Sequence, residues 1–256
     1  SAVTWGSEDG RSAWVARYAD GSYRWDLKDD PSQPYMYEWL IDDDGIITEE
    51  PSLRFRYDLF SRPWYVEPRR RGQPVWSPPY VWAGATDNIQ PTLGMSFGVP
   101  LSNPDGSFRG VISTDISLQD LSSFLETLEI GENGISLIVD ERGQLLAASQ
   151  AALATPRDTE LRLVGSSDDE RVGTAGRLLE SPERLDAPVT VELIDGVRHY
   201  FQLTPIRTGR GLNWNLATIV PESEFLATID REFRRSTLAS IAVMLLAVLL
   251  GTLAAN

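Results

Sequence analysis

The chain has no cysteine among its 256 residues. That absence excludes disulfide staples, thiolate zinc sites and a cysteine nucleophile together. Histidine is almost absent as well, with His199 the single example. Positive charge is scarce: 23 Lys and Arg stand against 37 Asp and Glu, a formal net charge of −14. No Lys/Arg-rich tract offsets this, and phosphates would be repelled, so no nucleic-acid partner is expected. There is no glycine loop of the phosphate-cradling kind and no cluster at metal-ligand spacing, so neither a cofactor nor a metal is expected. What remains is ordinary for a folded protein. The sequence is 42% hydrophobic and 23% charged, and long enough for one large or two small domains with cores.

Two short motifs invite catalytic readings. Gly94-Met95-Ser96-Phe97-Gly98 spells the nucleophile-elbow pattern G-x-S-x-G. That motif works on a strand–turn–helix with an acid and a histidine following. Here a strand and turn follow, and His199 falls in an Asp-Gly hairpin, where it reads as a strand residue. Asp42-Asp43-Asp44-Gly45 starts like a calcium loop but lacks the spaced ligands and terminal Glu, and reads as a solvated turn. No catalytic residues are expected, and the chain is read as a non-enzyme.

From Ser236 to Ala255 about twenty residues pass without a charge, the length needed to cross a hydrocarbon core. A transmembrane helix over 236–256 is expected. Arg231, Arg234 and Arg235 precede it.

Upstream, Asp-Gly pairs punctuate alternating runs and predict antiparallel hairpins. One is Trp14 to Leu27, a second Tyr37 to Thr48, a third Pro91 to Ile116. Between them, Tyr57 to Trp82 is dense in Pro and aromatics and reads as loop and short turns. Ser117 should cap a helix whose Leu118, Leu121, Phe124, Leu125 and Leu128 repeat at helical spacing. Strand–turn–strand follows from Gly134 to Ser149, helix and loop from Gln150 to Ser181, a hairpin from Val189 to Ile206 and a last strand from Leu212 to Val220. Pro221 opens a helix that should run into the membrane span, with Phe225, Leu226, Ile229 and Phe233 on one face. The pattern is α+β: two tandem lobes, each an antiparallel sheet with flanking helices, then one membrane helix.

The residues that carry chemistry are Tyr57, Arg62, Trp64, Tyr65, Tyr80 and Asp115. They are what a zwitterion requires. A guanidinium grips a carboxylate with two parallel hydrogen bonds, and a carboxylate opposite neutralises an ammonium. Aromatic faces add cation–π attraction, and tyrosine hydroxyls complete a polar shell. The alternative is that Trp64, Tyr65 and Tyr80 are core aromatics, with Arg62 and Asp115 paired to each other or facing solvent.

YDLFSRPWY, followed by WSPPYV and then GVISTDISL, resembles the membrane-distal module of double Cache (dCache) sensor domains, in PAS-like lobes, of bacterial transmembrane receptors. GISLIVDERGQLLAAS and GLNWNLATIVPESEF fit the membrane-proximal module. The resemblance implies a distal ligand-binding lobe over 1–116 with a truncated N-terminal helix, a connecting helix over 117–133, a proximal lobe over 134–221 and a juxtamembrane helix over 222–235. It implies that Arg62 and Trp64 hold a ligand carboxylate with Tyr65 beside them, and that Tyr57, Tyr80 and Asp115 surround an ammonium. The ligand would be an amino acid, or alternatively a biogenic amine or another small molecule; a protein-interaction module with no small ligand is a further alternative. It further implies a homodimer in the bacterial inner membrane, with the sensor facing the periplasm or cell exterior. The segment Val81 to Pro91 is longer than the pattern leads one to expect.

Overall fold

The computed structural model describes residues 1–18, 21–83, 92–128, 130–154, 160–181 and 188–225. The expected membrane span and most of the juxtamembrane helix lie outside these residues, as do 84–91 of the long segment. Among the described residues no helix is long and apolar enough to cross a membrane.

The first half folds into an antiparallel sheet of nine strands. In chain order these are β1 (Ala2–Ser7), β2 (Ser12–Arg17), β3 (Tyr23–Lys28), β4 (Tyr35–Ile41), β5 (Leu53–Arg56), β6 (Val75–Trp76), β7 (Tyr80–Val81), β8 (Leu93–Ser102) and β9 (Phe108–Ser117). The order across the sheet is β5-β4-β3-β2-β1-β9-β8-β6, with β7 also paired to β8. Two of the expected hairpins are present as β2–β3 and β8–β9. The one expected from Tyr37 to Thr48 is only a bridge, Ile41 to Ile47; the first part of β4, Tyr35 to Glu38, instead pairs with β5.

The Pro-rich stretch holds a helix that its composition hides. After a 3₁₀ turn over Leu59–Ser61 comes α1 (Pro63–Arg71), closed by Gly72 at φ 63°. Pro63 occupies the first turn, where a missing N–H removes no helical bond. Arg69, Arg70 and Arg71 crowd the last turn, complementing its exposed carbonyls. The helix lies close on the sheet because two strand positions carry no side chain. A Cβ at Gly98 would come 2.3 Å from Pro68 Cγ and 2.8 Å from the Trp64 carbonyl, and one at Gly6 would come 2.9 Å from the Trp64 ring. Met36, Tyr57, Leu59, Trp64, Tyr65 and Val111 form the core beneath it.

β9 runs directly into α2 (Leu118–Glu126). The Ser117 hydroxyl accepts the Asp120 N–H, as an N-cap does. Leu118, Leu121 and Leu125 are buried, but Phe124 is 59% exposed and Leu128 37%, so only part of the expected face meets a neighbour.

The second half is a five-stranded antiparallel sheet ordered β11-β10-β14-β13-β12. It comprises β10 (Ile135–Asp140), β11 (Leu145–Ala148), β12 (Thr190–Ile194), β13 (Val197–Arg207) and β14 (Asn213–Pro221), with α3 (Ala151–Ala154) and α4 (Glu170–Leu179) between β11 and β12. All the strands expected here are present. Helical residues resume over 222–225. One cluster joins the two halves: Met95, Leu118, Leu121 and Leu125 pack with Ile138, Leu146, Ala147, Leu212 and Trp214. Beside it the Trp76 N–H donates to the Arg210 carbonyl at 2.9 Å.

Candidate functional site

A cavity of about 820 Å³ lies over the first sheet. Alternation decides its floor, since residues two apart on a strand share a face. Ala2 and Thr4 of β1, Trp14 and Ala16 of β2, Arg24 of β3, Glu38 of β4 and Asp115 of β9 all line it. Tyr57, Arg62 and Trp64 close one side, and Tyr80 and Val81 of β7 another. Five of the six expected residues therefore meet in one space.

Arg62 sits between the 3₁₀ turn and α1 with extended backbone, φ −83° and ψ 127°. Its Nη2 donates to the Val81 carbonyl at 2.7 Å, and the guanidinium carbon lies 5.9 Å and 5.4 Å from the ring centres of Tyr57 and Tyr80. Asp115 accepts from Thr4 Oγ1 at 3.2 Å and Ser113 Oγ at 3.4 Å. Burial pushes its carboxyl above the usual range, against the hydrogen bonds from Ser96, Thr4 and Ser113. Arg62 and Asp115 thus share a cavity while each is held by neutral groups.

Tyr57 is buried, and its hydroxyl accepts the Trp64 Nε1–H at 3.1 Å. Tyr80 shares a 2.8 Å hydrogen bond with Ser96 Oγ. Burial raises both phenols, so they remain protonated; the Asp115 carboxylate adds to the rise at Tyr80. Trp64 lines the cavity, but its N–H is engaged by Tyr57.

Tyr65 is the exception among the six. Its ring packs 5.7 Å from Phe60 and 6.0 Å from Phe108, and its hydroxyl donates to the Ser7 carbonyl at 2.9 Å. It does not line the cavity. Consecutive helix residues point about 100° apart, so once Trp64 faces the cavity Tyr65 must face the core. Ser96 lies fully buried inside β8, and His199 Nδ1 contacts the Val197 carbonyl within β13.

The opposite end of the cavity is built from separate strands, and no single sequence motif displays it. Arg24 Nη1 bonds Glu38 Oε1 at 3.1 Å, and Tyr18 Oη donates to Glu38 Oε2 at 3.3 Å. The Arg24 guanidinium also lies 3.9 Å from the Tyr18 ring centre. The signal was present: 14, 16, 24 and 26 fall on one face of the β2–β3 hairpin by alternation alone.

An antiparallel sheet with a charged, aromatic-walled cavity, joined by one helix to a second sheet, is the architecture of a ligand sensor. Residues 27–229 match the family described as Cache domain, dCache_1; the chain belongs to that family. It is 23% identical over 223 residues to the methyl-accepting chemotaxis protein McpA of Pseudomonas putida, which covers 86% of this chain and 31% of that receptor. It is 23% identical, over the same share of this chain and 32% of the receptor, to the methyl-accepting chemotaxis protein PctB of Pseudomonas aeruginosa. The chain thus spans about a third of the length of these relatives. The ligand-binding domain of PctB in complex with L-Arg superposes with a TM-score of 0.52 at 17% identity, over 95% of this chain and 76% of that one. At that identity the likeness speaks for the fold.

Proposed function

We propose that this chain is the extracytoplasmic sensing region of a bacterial transmembrane receptor and that it binds an amino acid between Arg62 and Asp115. The observation that carries this reading is one cavity holding a guanidinium and a carboxylate that do not neutralise each other. Unpaired ions partly shielded from water are costly, and a zwitterion supplies the missing partner to both half-buried groups. Arg62 takes the α-carboxylate; Asp115, Tyr57 and Tyr80 surround the ammonium. The relatives support the class: two are chemotaxis receptors, and PctB is described as an amino acid chemoreceptor in complex with L-Arg and with L-Gln.

In this reading the distal lobe is 1–116, the proximal lobe 134–221, and the span Ser236 to Ala255 anchors a homodimer in the inner membrane with the lobes outside. Ligand favours one position of β9, and only its differential affinity for the two positions shifts the population. Because β9 continues into the capped start of α2, and α2 packs on the second sheet, that shift has a direct route toward residue 222 and beyond.

Thermal unfolding against a panel of amino acids and amines tests the proposal. An amino acid at about 100 times its Kd should add roughly 2.7 kcal/mol of stability. Arg62→Ala and Asp115→Ala should each abolish the shift. A shift given by amines alone and kept by Arg62→Ala would replace the amino-acid reading with an amine sensor.

A further inference from the structure

Two rows of residues cross the cavity floor in register. One runs Asp115, Ala2, Ala16, Arg24 through β9, β1, β2 and β3. The next runs Thr4, Trp14, Asp26, Glu38 through β1, β2, β3 and β4. Between Asp115 and Arg24 the floor therefore carries only two methyl groups, a trough whose ends are three strand spacings apart, roughly 14 Å between Cα atoms. Its walls are aromatic: the Trp14 ring packs 5.1 Å from Tyr57. A short ligand anchored at Asp115 leaves this trough open, whereas a long unbranched side chain fills it.

The far end sets two carboxyl groups beside one guanidinium. Glu38, with a side chain only 4% exposed, faces the cavity and bonds Arg24. Asp26 lies between Trp14 and Glu38 in the register, is 0% exposed, and neither of its carboxylate oxygens has a hydrogen-bond partner. Two carboxyl groups thus share the Arg24 guanidinium, and Asp26 keeps its proton for want of a second cation, since Arg17, which also lines the cavity, is exposed. A buried acid kept neutral by the lack of a counter-charge ionises when a cation arrives beside it, which favours a cationic group at this end.

We infer that this trough selects amino acids with long basic side chains, whose guanidinium or ammonium is received by Glu38 with Asp26 behind it. The inference rests on the zwitterion reading of the Arg62–Asp115 end and specifies what the ligand carries at its other end.

Calorimetric titration of the chain with L-arginine, L-lysine, L-norleucine and L-alanine tests it. The basic pair should bind at least about tenfold tighter than norleucine or alanine. Glu38→Gln should bring all four together. Ala16→Leu, which blocks the trough without touching a charge, should weaken arginine and lysine while leaving alanine within about threefold; it keeps the test decisive if circular dichroism shows Glu38→Gln unfolded. Norleucine or alanine binding as tightly as arginine, or an unchanged ranking in Ala16→Leu, overturns the inference and leaves the zwitterion site standing. No binding by any of the four overturns both.

Discussion

Arg62 and Asp115 line the same cavity, yet the guanidinium is held by the Val81 carbonyl at 2.7 Å and the carboxylate by the Thr4 hydroxyl at 3.2 Å. Each charge is oriented by a neutral group, which leaves room for a ligand of the opposite sign. Arg62→Lys keeps the charge but loses the planar fork, and should weaken amino-acid binding by about 10–100-fold. Titration calorimetry reads this directly.

Asp115 adds a pH dependence. Burial raises its carboxyl above the ordinary 3.8, so lowering the pH protonates it before an exposed aspartate would titrate. A protonated Asp115 cannot neutralise an ammonium. Affinity should therefore fall on acidification, beginning above pH 3.8, and Asp115→Asn should bind weakly at every pH with no such fall.

Asp26 makes the folded state itself pH-sensitive. Burial, then the neighbouring Glu38, push its carboxyl from 3.8 to about 8, against Arg24 and the Trp14 side chain. The native protein holds that proton while the unfolded chain has released it. Stability contributed by this group is therefore fully present below about pH 4 and declines as pH rises toward about 8. Asp26→Asn should raise the unliganded chain's stability at pH 8 by on the order of 2–4 kcal/mol and flatten its melting temperature between those limits. A melting curve less stable than wild type at pH 8 would show that the carboxylate is ionised and compensated.

Trp64 and Tyr57 form a buried hydrogen bond of 3.1 Å beside the cavity. A double-mutant cycle with Trp64→His or Trp64→Phe and Tyr57→Phe should give a coupling of about 0.5–1.5 kcal/mol in chemical denaturation.

Gly98→Ala should be more damaging than its size suggests. The added methyl meets Pro68 at 2.3 Å and the Trp64 carbonyl at 2.8 Å, so α1 must lift from the sheet. A loss of about 1–3 kcal/mol is expected, with weakened ligand binding because Arg62 begins the same helix.

Much of this was legible in the sequence because antiparallel strands announce themselves locally. Asp105-Gly106 and Asp195-Gly196 each turn a hairpin, and alternation sets the faces. The helix α1 was not legible, since Pro63 and Pro68 read as breakers although the first sits where a helix tolerates it and the second packs against Gly98. Tyr65 was expected beside the ligand from the resemblance, whereas in α1 its ring packs against Phe60 and Phe108. Phe124 had helical spacing, but spacing does not reveal where the second sheet ends. The Arg24–Glu38 end was hidden for a different reason: its residues come from separate strands, and only the register β1-β2-β3-β4 brings them into a row with Asp115.

The central claim is that both ends of a zwitterion are recognised, by Arg62 and by Asp115. The most direct measurement is calorimetric titration with an amino acid that binds, with its decarboxylated amine and with its deaminated acid. The account predicts that each truncated compound binds at least about 100-fold more weakly than the parent, because each leaves one half-buried charge of the cavity unmatched. An amine that binds as tightly as the parent amino acid would contradict it.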